Sequence, residues 1–486
     1  MEITLLVVYF FLLTCVLLFS FFQLQLAVLY LRNQKKTRIA IAQPSMPEDI
    51  PYVTIQLPVY NELYVVERLI DAVSRINYPK NKFEIQMLDD STDETSEIIR
   101  RKVNELKSKG LNIECIHRVD RAGFKAGALK NGLLSAKGEF IAIFDADFLP
   151  EPDFLLKTIP HFSDKNIGAV QTRWGHINKN YSILTRAQAF ALDAHFTVEQ
   201  SGRNRNGFFI NFNGTAGVWR KTAILDAGNW EADTLTEDLD LSYRAQLKGW
   251  KFKYLEEVIS PAELPVTLNA VKLQQFRWMK GGAQNCIKNY KKVLAAPISF
   301  KTKANAFHHM LSSTVFFFTF LIAILSFPMM LIRNYHEEYE LIFTISSVFM
   351  ITTLILLLFY AIPYFKENKS LASVLLYPVY FFLFLIFMFG LSLNNIVAIS
   401  EAFLGKKSSF IRTPKFNIFS KNESWKANKY LTRKISFITI LEGLLSLFFL
   451  GAMAFSVYIG QYWFLYFYAM LFLGFGAVSF LSIKQA

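Results

Sequence analysis

Six stretches of this chain, at about 5–31, 310–332, 341–363, 371–399, 435–459 and 462–483, are almost purely apolar and about as long as a bilayer's hydrocarbon core requires of a helix. Where such runs meet lipid, the backbone has to satisfy its own hydrogen bonds, so they predict helices and exclude an ordinary soluble fold. The rest of the composition agrees: 52% of 486 residues are hydrophobic, with 48 Phe, more than a water-soluble core uses.

The flanking charges predict how the runs are oriented. A cleaved signal would carry its charge before the apolar stretch, yet here Arg32, Lys35, Lys36 and Arg38 follow it, which puts the N-terminus outside and the following region in the cytoplasm. The hairpin 333–340 is acidic, whereas 400–434 carries Lys406, Lys407, Arg412, Lys415, Lys421, Lys426, Lys429, Arg433 and Lys434 against Glu401 and Glu423. Five crossings after the first would force that basic loop outside. The expectation is therefore that 371–399 does not cross but lies along or dips into the inner leaflet, leaving five spans and an inside C-terminus. A full span for 371–399 is the competing expectation. The sequons at Asn180, Asn213, Asn368 and Asn422 are then cytoplasmic and unused.

Between about 50 and 265 the texture changes to short β-rich runs (52–57, 83–88, 113–116, 140–144, 167–171) alternating with amphipathic stretches (62–76, 93–109, 124–136, 152–161). This predicts an α/β fold, a doubly wound, mostly parallel sheet inserted between transmembrane helices. Three scattered cysteines give no disulfide or zinc framework, as expected of a reducing compartment. The formal charge of +13 lies beside apolar segments and is assigned to membrane orientation, not to nucleic acid.

Ligands of such sheets sit beyond the strands' carboxyl ends. There the chain has Pro58, Tyr60 and Glu62, then Asp89 and Asp90, then Asp145 and Asp147. Single acids of this kind serve as caps or turn residues, as expected of Asp93 and Asp153. Two carboxylates at i and i+2 after a buried strand also suit a hard divalent cation bridging a diphosphate. Lys125, in a glycine-containing helix start, is either a solvated lysine or part of a phosphate cradle. The run 208–219, with Phe212, Asn213, Gly214 and Thr215, is either a buried strand and turn or a mixture of aromatic platform and polar rim suited to a sugar. Thr236-Glu237-Asp238 opens a helix ending at Gly249, so Asp238 is a helix-terminal carboxylate or a general base held at the rim. Along 267–289, Leu268, Val271, Phe276 and Met279 alternate with Lys272, Gln274, Arg277 and Lys280, an amphipathic helix at a membrane surface on which Gln274, Arg277 and Trp278 share one face. Trp278 suits an interfacial aromatic belt or a stacked sugar ring.

In this order, Asp89/Asp90, Asp145-Ala146-Asp147, Thr236-Glu237-Asp238, Gln274 to Trp278 and then Phe410-Ile411-Arg412-Thr413-Pro414-Lys415 resemble the membrane-integrated processive glycosyltransferases of family 2, the cellulose synthase and cellulose-synthase-like group, and within it the mannan and xyloglucan-backbone synthases. The resemblance implies an inverting hexose transfer from a nucleotide diphosphate sugar, UDP-glucose favoured and GDP-mannose possible, to a β-linked polysaccharide exported through the protein's own helices. Tyr60 with Asp89 or Asp90 would bind the base, with Pro58 and Glu62 beside them. Asp145 and Asp147 would hold Mg2+ or Mn2+ and the diphosphate. Lys125, Gln274 and Arg277 would bind phosphates; Phe212, Asn213, Gly214, Thr215 and Trp278 the acceptor. Asp238 would be the base, next to Glu237, and Phe410, Thr413 and Lys415 part of a gating loop. Asn213-Gly214-Thr215 departs from the usual Cys-Gly-Ser, and with a single N-terminal span and no appended regulatory domain this counts against cellulose and cyclic-nucleotide control. A transferase adding one sugar to ceramide or a polyprenyl phosphate is the alternative. The implied division is 1–32 first span, 33–265 cytoplasmic catalytic domain, 266–300 interfacial helix, 301–399 spans with an interfacial or re-entrant helix, 400–434 gating-like loop and 435–486 two final spans.

Overall fold

The structure is a computed structural model and describes residues 1–39, 45–408, 410–431 and 434–485; Arg433 and the side chains of Lys35, Lys36 and Arg38 lie outside the described residues. The α/β region is built on seven strands, β1 (Val53–Val59), β2 (Phe83–Asp89), β3 (Ile113–His117), β4 (Phe140–Ile143), β5 (Ile167–His176), β6 (Gly217–Arg220) and β7 (Lys251–Ala262), in the order β3-β2-β1-β4-β6-β5-β7. β6 runs antiparallel to both of its neighbours, and the other pairings are parallel, so the expected mostly parallel sheet is present. β1, β2 and β4 are buried on both faces because helices cover both; β4 is apolar throughout, while one face of β1 and β2 carries Thr54, Gln56, Glu84 and Gln86, which hydrogen-bond in pairs across the strands, Thr54 to Glu84 at 2.8 Å and Gln56 to Gln86 at 3.0 Å. One face packs on the helices Val66–Ser74 and Thr95–Ser108, the other on Phe124–Ser135 and Glu237–Leu247. Hydrophobic periodicity finds five of these strands and misses two. β6 is four residues in a glycine-rich turn, and β7 is an edge strand whose exposed Lys251, Lys253 and Glu257 interrupt its pattern.

Among the described residues six helical segments are long and apolar enough to cross a membrane: Glu2–Gln34, Ser312–Tyr335, Glu337–Glu367, Leu371–Phe403, Phe437–Tyr458 and Tyr462–Lys484. Five of them run between two ends of the bundle. At the end far from the sheet, His336 lies 3.3 Å from Glu2, Gln461 donates to Asn334 at 3.3 Å and Arg333 covers the Trp463 ring. At the near end, Tyr30 and Lys366 each reach Glu256 of β7 at 2.7 Å, and Gln485 accepts from the Leu268 backbone N–H at 2.7 Å.

Leu371–Phe403 is different, since both of its ends meet the α/β region. Just before it, Glu367 pairs with Arg173 and Lys179 at 3.1 and 3.0 Å; near its end, Glu401 pairs with Lys280 at 2.8 Å. In between, Gly390 and Gly474 let two helices touch backbone to backbone, and a Cβ on Gly390 would meet the Gly474 carbonyl oxygen at 2.3 Å.

The helix Leu268–Ala295 corrects one expectation. Lys272 and Lys280 do not form a polar face toward water. Both are buried, Lys272 pairing with Glu442 at 2.5 Å and Lys280 with Glu401. The helix is therefore clamped between the sheet domain and the bundle by charges drawn from both.

Candidate active site

β1, β2 and β4 pair in register, Val59 opposite Asp89 and Gln56 opposite Ile143, so the loops leaving their carboxyl ends emerge together. These loops bring Pro58, Tyr60, Glu62, Asp90, Asp145 and Asp147 to one cavity of about 180 Å³. The helix Glu237–Leu247 points its N-terminus there with Glu237 and Asp238, and Leu268–Ala295 supplies Gln274, Arg277 and Trp278 from one face. Lys125, Asn213 and Gly214 line it from the sheet side; Phe410, Arg412, Thr413 and Lys415 close it from the basic loop.

Three of the expected residues stand behind the lining. Asp89 is buried, its carboxylate accepting from the Ser91 N–H at 2.9 Å and the Ser96 hydroxyl at 2.6 Å, with His117 Nδ1 at 2.9 Å. Asp90 is the member of that pair facing the cavity, gripped by Arg118 at 2.8 and 2.5 Å. Phe212 is packed inside against Trp219, so its ring offers no platform to the cavity. Thr215 is buried too, and its hydroxyl accepts the Asp145 N–H at 2.8 Å, fixing where that carboxylate emerges. Tyr60 reaches the lining, but the Arg121 guanidinium lies 3.3 Å from its ring centroid and covers one face.

The electrostatics are dense. Arg121, Lys125, Arg277, Arg412 and Lys415 face Glu62, Asp90, Asp145, Asp147, Glu237 and Asp238. Burial, followed by repulsion from Glu237, raises Asp238 from the ordinary carboxylate range to about 7. Burial opposes charge on Lys125, but Asp145 at 2.6 Å and Glu237 outweigh it and hold the ammonium above its ordinary value. Gly214 makes this arrangement possible. At φ +78 it turns its carbonyl to accept from Lys125 at 2.9 Å, and an added Cβ would lie 3.2 Å from Asp238 Oδ2 and 3.3 Å from Lys125 Nζ.

Asp145 and Asp147 offer the oxygen donors that a hard divalent cation takes. Each already holds an ammonium group, Lys125 on Asp145 and Lys415 on Asp147, so a metal at this pair would compete with both. The loop is tied down by two further contacts, Arg412 to Glu62 at 2.6 Å and Arg277 to the Thr413 hydroxyl at 2.9 Å. A second acidic cluster, Glu231, Asp233 and Asp240, is closed by Lys288 at 2.5, 2.7 and 3.0 Å.

Several residues of the site carry no signal in sequence spacing. Glu263, buried, accepts from Arg68 at 2.7 Å and from the backbone N–H groups of Phe416 and Asn417 at 2.8 and 3.0 Å, anchoring the loop just after Lys415. Asn213 is held from a π-helical turn, His195–Glu199, and the residue after it. Gln200 donates to Asn213 Oδ1 at 2.6 Å, while Asn213 Nδ2 stands 3.3 Å from His195 Nε2. Burial opposes the charge of Glu199, but Arg203 and His195 outweigh it and keep its pKa well below the ordinary range. With Glu199 ionised, the proton shared with His195 at 2.9 Å sits on Nδ1, which fixes the ring against Asn213.

The family profile described as "Glycosyltransferase like family 2" matches residues 51–281. Among curated proteins, the probable glucomannan 4-beta-mannosyltransferase 7 of Oryza sativa subsp. japonica is 47% identical over 240 residues, 48% of this chain and 41% of that one. The glucomannan 4-beta-mannosyltransferase 2 of Arabidopsis thaliana is 45% identical over 240 residues, 48% of this chain and 45% of that protein. The matched part spans under half of these relatives' own length. Among solved structures, a mannosyltransferase from Pyrobaculum calidifontis in complex with GDP-Man and Mn2+ aligns with a TM-score of 0.53 and 16% identity over 83% of this chain and 100% of that one, a likeness of fold.

Proposed function

We propose, from the premise that residues 51–281 belong to the family 2 glycosyltransferases of the cellulose-synthase-like group, that the protein extends a β-linked mannan or glucomannan by inverting transfer from a nucleotide diphosphate sugar. One observation carries this reading: Asp238, Lys125, Arg277 and the Asp145/Asp147 pair converge on a single cavity. The favoured donor moves from UDP-glucose to GDP-mannose, because the relatives at 45% and 47% identity are named as mannosyltransferases. The cavity's near balance of charges suits a diphosphate arriving together with a divalent cation, since the two add little net charge to a buried site.

In the transfer, an acceptor hydroxyl attacks the anomeric carbon as the bond to the diphosphate oxygen breaks on the opposite face, which inverts the centre. Asp238 takes the hydroxyl proton, a contribution of about 10²–10⁴ in rate for a positioned base. Lys125 and Arg277 meet the charge gathering on the leaving diphosphate, more strongly in the transition state than before it. Asp145 and Asp147 would hold Mg2+ or Mn2+, which supplies further charge neutralisation when bound. Trp278 stacks on the acceptor ring, and Asn213 hydrogen-bonds its hydroxyls. The loop 410–415 opens and closes the cavity by exchanging Lys415 and Arg412 for ligand.

The topology proposed with this function keeps the N-terminus outside and the catalytic domain and C-terminus inside. Leu371–Phe403 lies at the inner leaflet and five helices span, a reading supported by its two ends meeting the same domain. The polymer leaves through the bundle. The test is to incubate the purified protein and Mg2+ or Mn2+ with labelled GDP-mannose or UDP-glucose, then digest the product with β-mannanase. The expected product is a mannanase-sensitive polymer from GDP-mannose; a lipid-soluble product bearing one sugar overturns the polymerase reading.

A further inference from the structure

A second cavity, of about 160 Å³, lies where the α/β region meets the bundle, between the helix Ile183–Ala194, the end of Ile351–Glu367 and the start of Leu371–Phe403. It takes no part in the proposed transfer. Its charged groups are Lys179, Arg186, Asp193 and Glu367. The two carboxylates are already neutralised: Asp193, which His176 Nε2 also approaches at 3.1 Å, by Lys179 at 3.1 Å, and Glu367 by Lys179 at 3.0 Å and Arg173 at 3.1 Å. Arg186 is different. Its guanidinium has the Tyr380 hydroxyl at 3.3 Å, and no carboxylate among the described residues pairs with it. Arg173, Lys179 and Arg186 against Asp193 and Glu367 leave one cationic charge in excess, and Arg186 carries it.

The aromatic residues around the cavity do not make a sugar platform. Phe190 and Tyr360 stack on each other at 5.3 Å, and Tyr364 packs against Tyr377 and Tyr380 at 5.2 and 5.9 Å, so ring faces are spent on one another and hydroxyl edges are left. On Leu371–Phe403, Ser373, Leu376 and Tyr380 line the cavity, while the neighbouring face bears Leu371, Leu375 and Val379, exposed by 82%, 76% and 52%. A fork of N–H donors with a surplus charge thus opens directly onto an unpartnered apolar helix face.

We propose that this cavity binds one phospholipid, its phosphate on Arg186 and the Tyr380 hydroxyl and its acyl chains along the Leu371–Val379 face. The inference rests on the apolar helices being embedded in a bilayer, not on the sugar donor or the linkage. A guanidinium fork matches a phosphate bidentately, and in a half-buried site such charge-assisted bonds are worth at least a factor of ten in affinity. The bound lipid would brace the junction at which Leu371–Phe403 leaves the catalytic region.

The test uses the full chain in detergent, with native mass spectrometry reading the binding of dioctanoyl phosphatidylglycerol, and with dioctanoylglycerol and inorganic phosphate as competitors. One tightly held phosphatidylglycerol is expected, with neither competitor displacing it. Arg186→Gln should weaken it about tenfold and Arg186→Lys less. Leu376→Trp, which fills the cavity's mouth and leaves Arg186 in place, should also abolish it, so a folding defect in one variant does not decide the matter. Unchanged binding in Arg186→Gln and Leu376→Trp overturns the proposal. Displacement by inorganic phosphate alone also overturns it, since the site would then be one for free anions.

Discussion

Asp238 is a carboxylate whose surroundings set its chemistry. Half-buried beside Glu237, it is raised to about 7, so as the proposed base it is half ionised near neutrality. A base works only when deprotonated, and kcat/KM should therefore rise about tenfold per pH unit below about 7 and level off above it. Glu237→Gln removes the repelling charge, and the rising limb should move to lower pH; initial rates between pH 5.5 and 8.5 check both. Asn213 makes a separate prediction. Its amide is oriented by Gln200 and His195, so Gln200→Ala should raise the acceptor KM about tenfold, the worth of one well-made hydrogen bond in a buried site, with little change in donor KM. The acids and the Gln274–Trp278 face were legible because they follow strands or open helices. The holders of Asn213 were not, because a π turn has no sequence period of its own. Asp89 and Phe212 were legible as motif residues but not as buried ones: His117 and Trp219, against which they pack, are set by the fold.

At the scale of elements, β1 and β2 are legible by alternation of apolar and polar residues and β4 by a plain apolar run, because their cores are buried between helix layers. β7 is hidden in the sequence because its exposed edge positions carry lysines, and Leu268–Ala295 differs from its sequence pattern for the complementary reason, since lysine in a helix normally faces water. Here the partners of Lys272 and Lys280 lie 170 and 121 residues away, Glu442 and Glu401. The loop that closes the cavity depends in the same way on a distant residue, Glu263. Glu263→Ala removes the acceptor of three hydrogen bonds and strands Arg68 beside a buried space, a loss of about 3–5 kcal/mol by analogy with broken buried pairs. The change should appear as faster proteolysis within 404–431 and slower turnover, while the sheet domain stays folded; unaltered cleavage of that segment would refute the anchor.

For the whole molecule, the question is how a catalytic domain is coupled to a membrane bundle. The buried Lys272 to Glu442 pair joins the helix bearing Gln274–Trp278 to the final hairpin, so Glu442→Gln should lower Tm markedly, through about 3–5 kcal/mol of uncompensated charge, and Lys272→Met with Glu442→Leu should recover most of it. A cysteine placed near 420 should resist a membrane-impermeant reagent added from outside, and labelling there would overturn the five-span arrangement. All of this serves one claim, that the cavity transfers a sugar with Asp238 as base. The most direct measurement compares Asp238→Asn with the parent protein for mannose transfer from GDP-mannose alongside GDP binding. Transfer should fall by about 10²–10⁴ while GDP binding is preserved. Polymer formation at near the parent rate would contradict it.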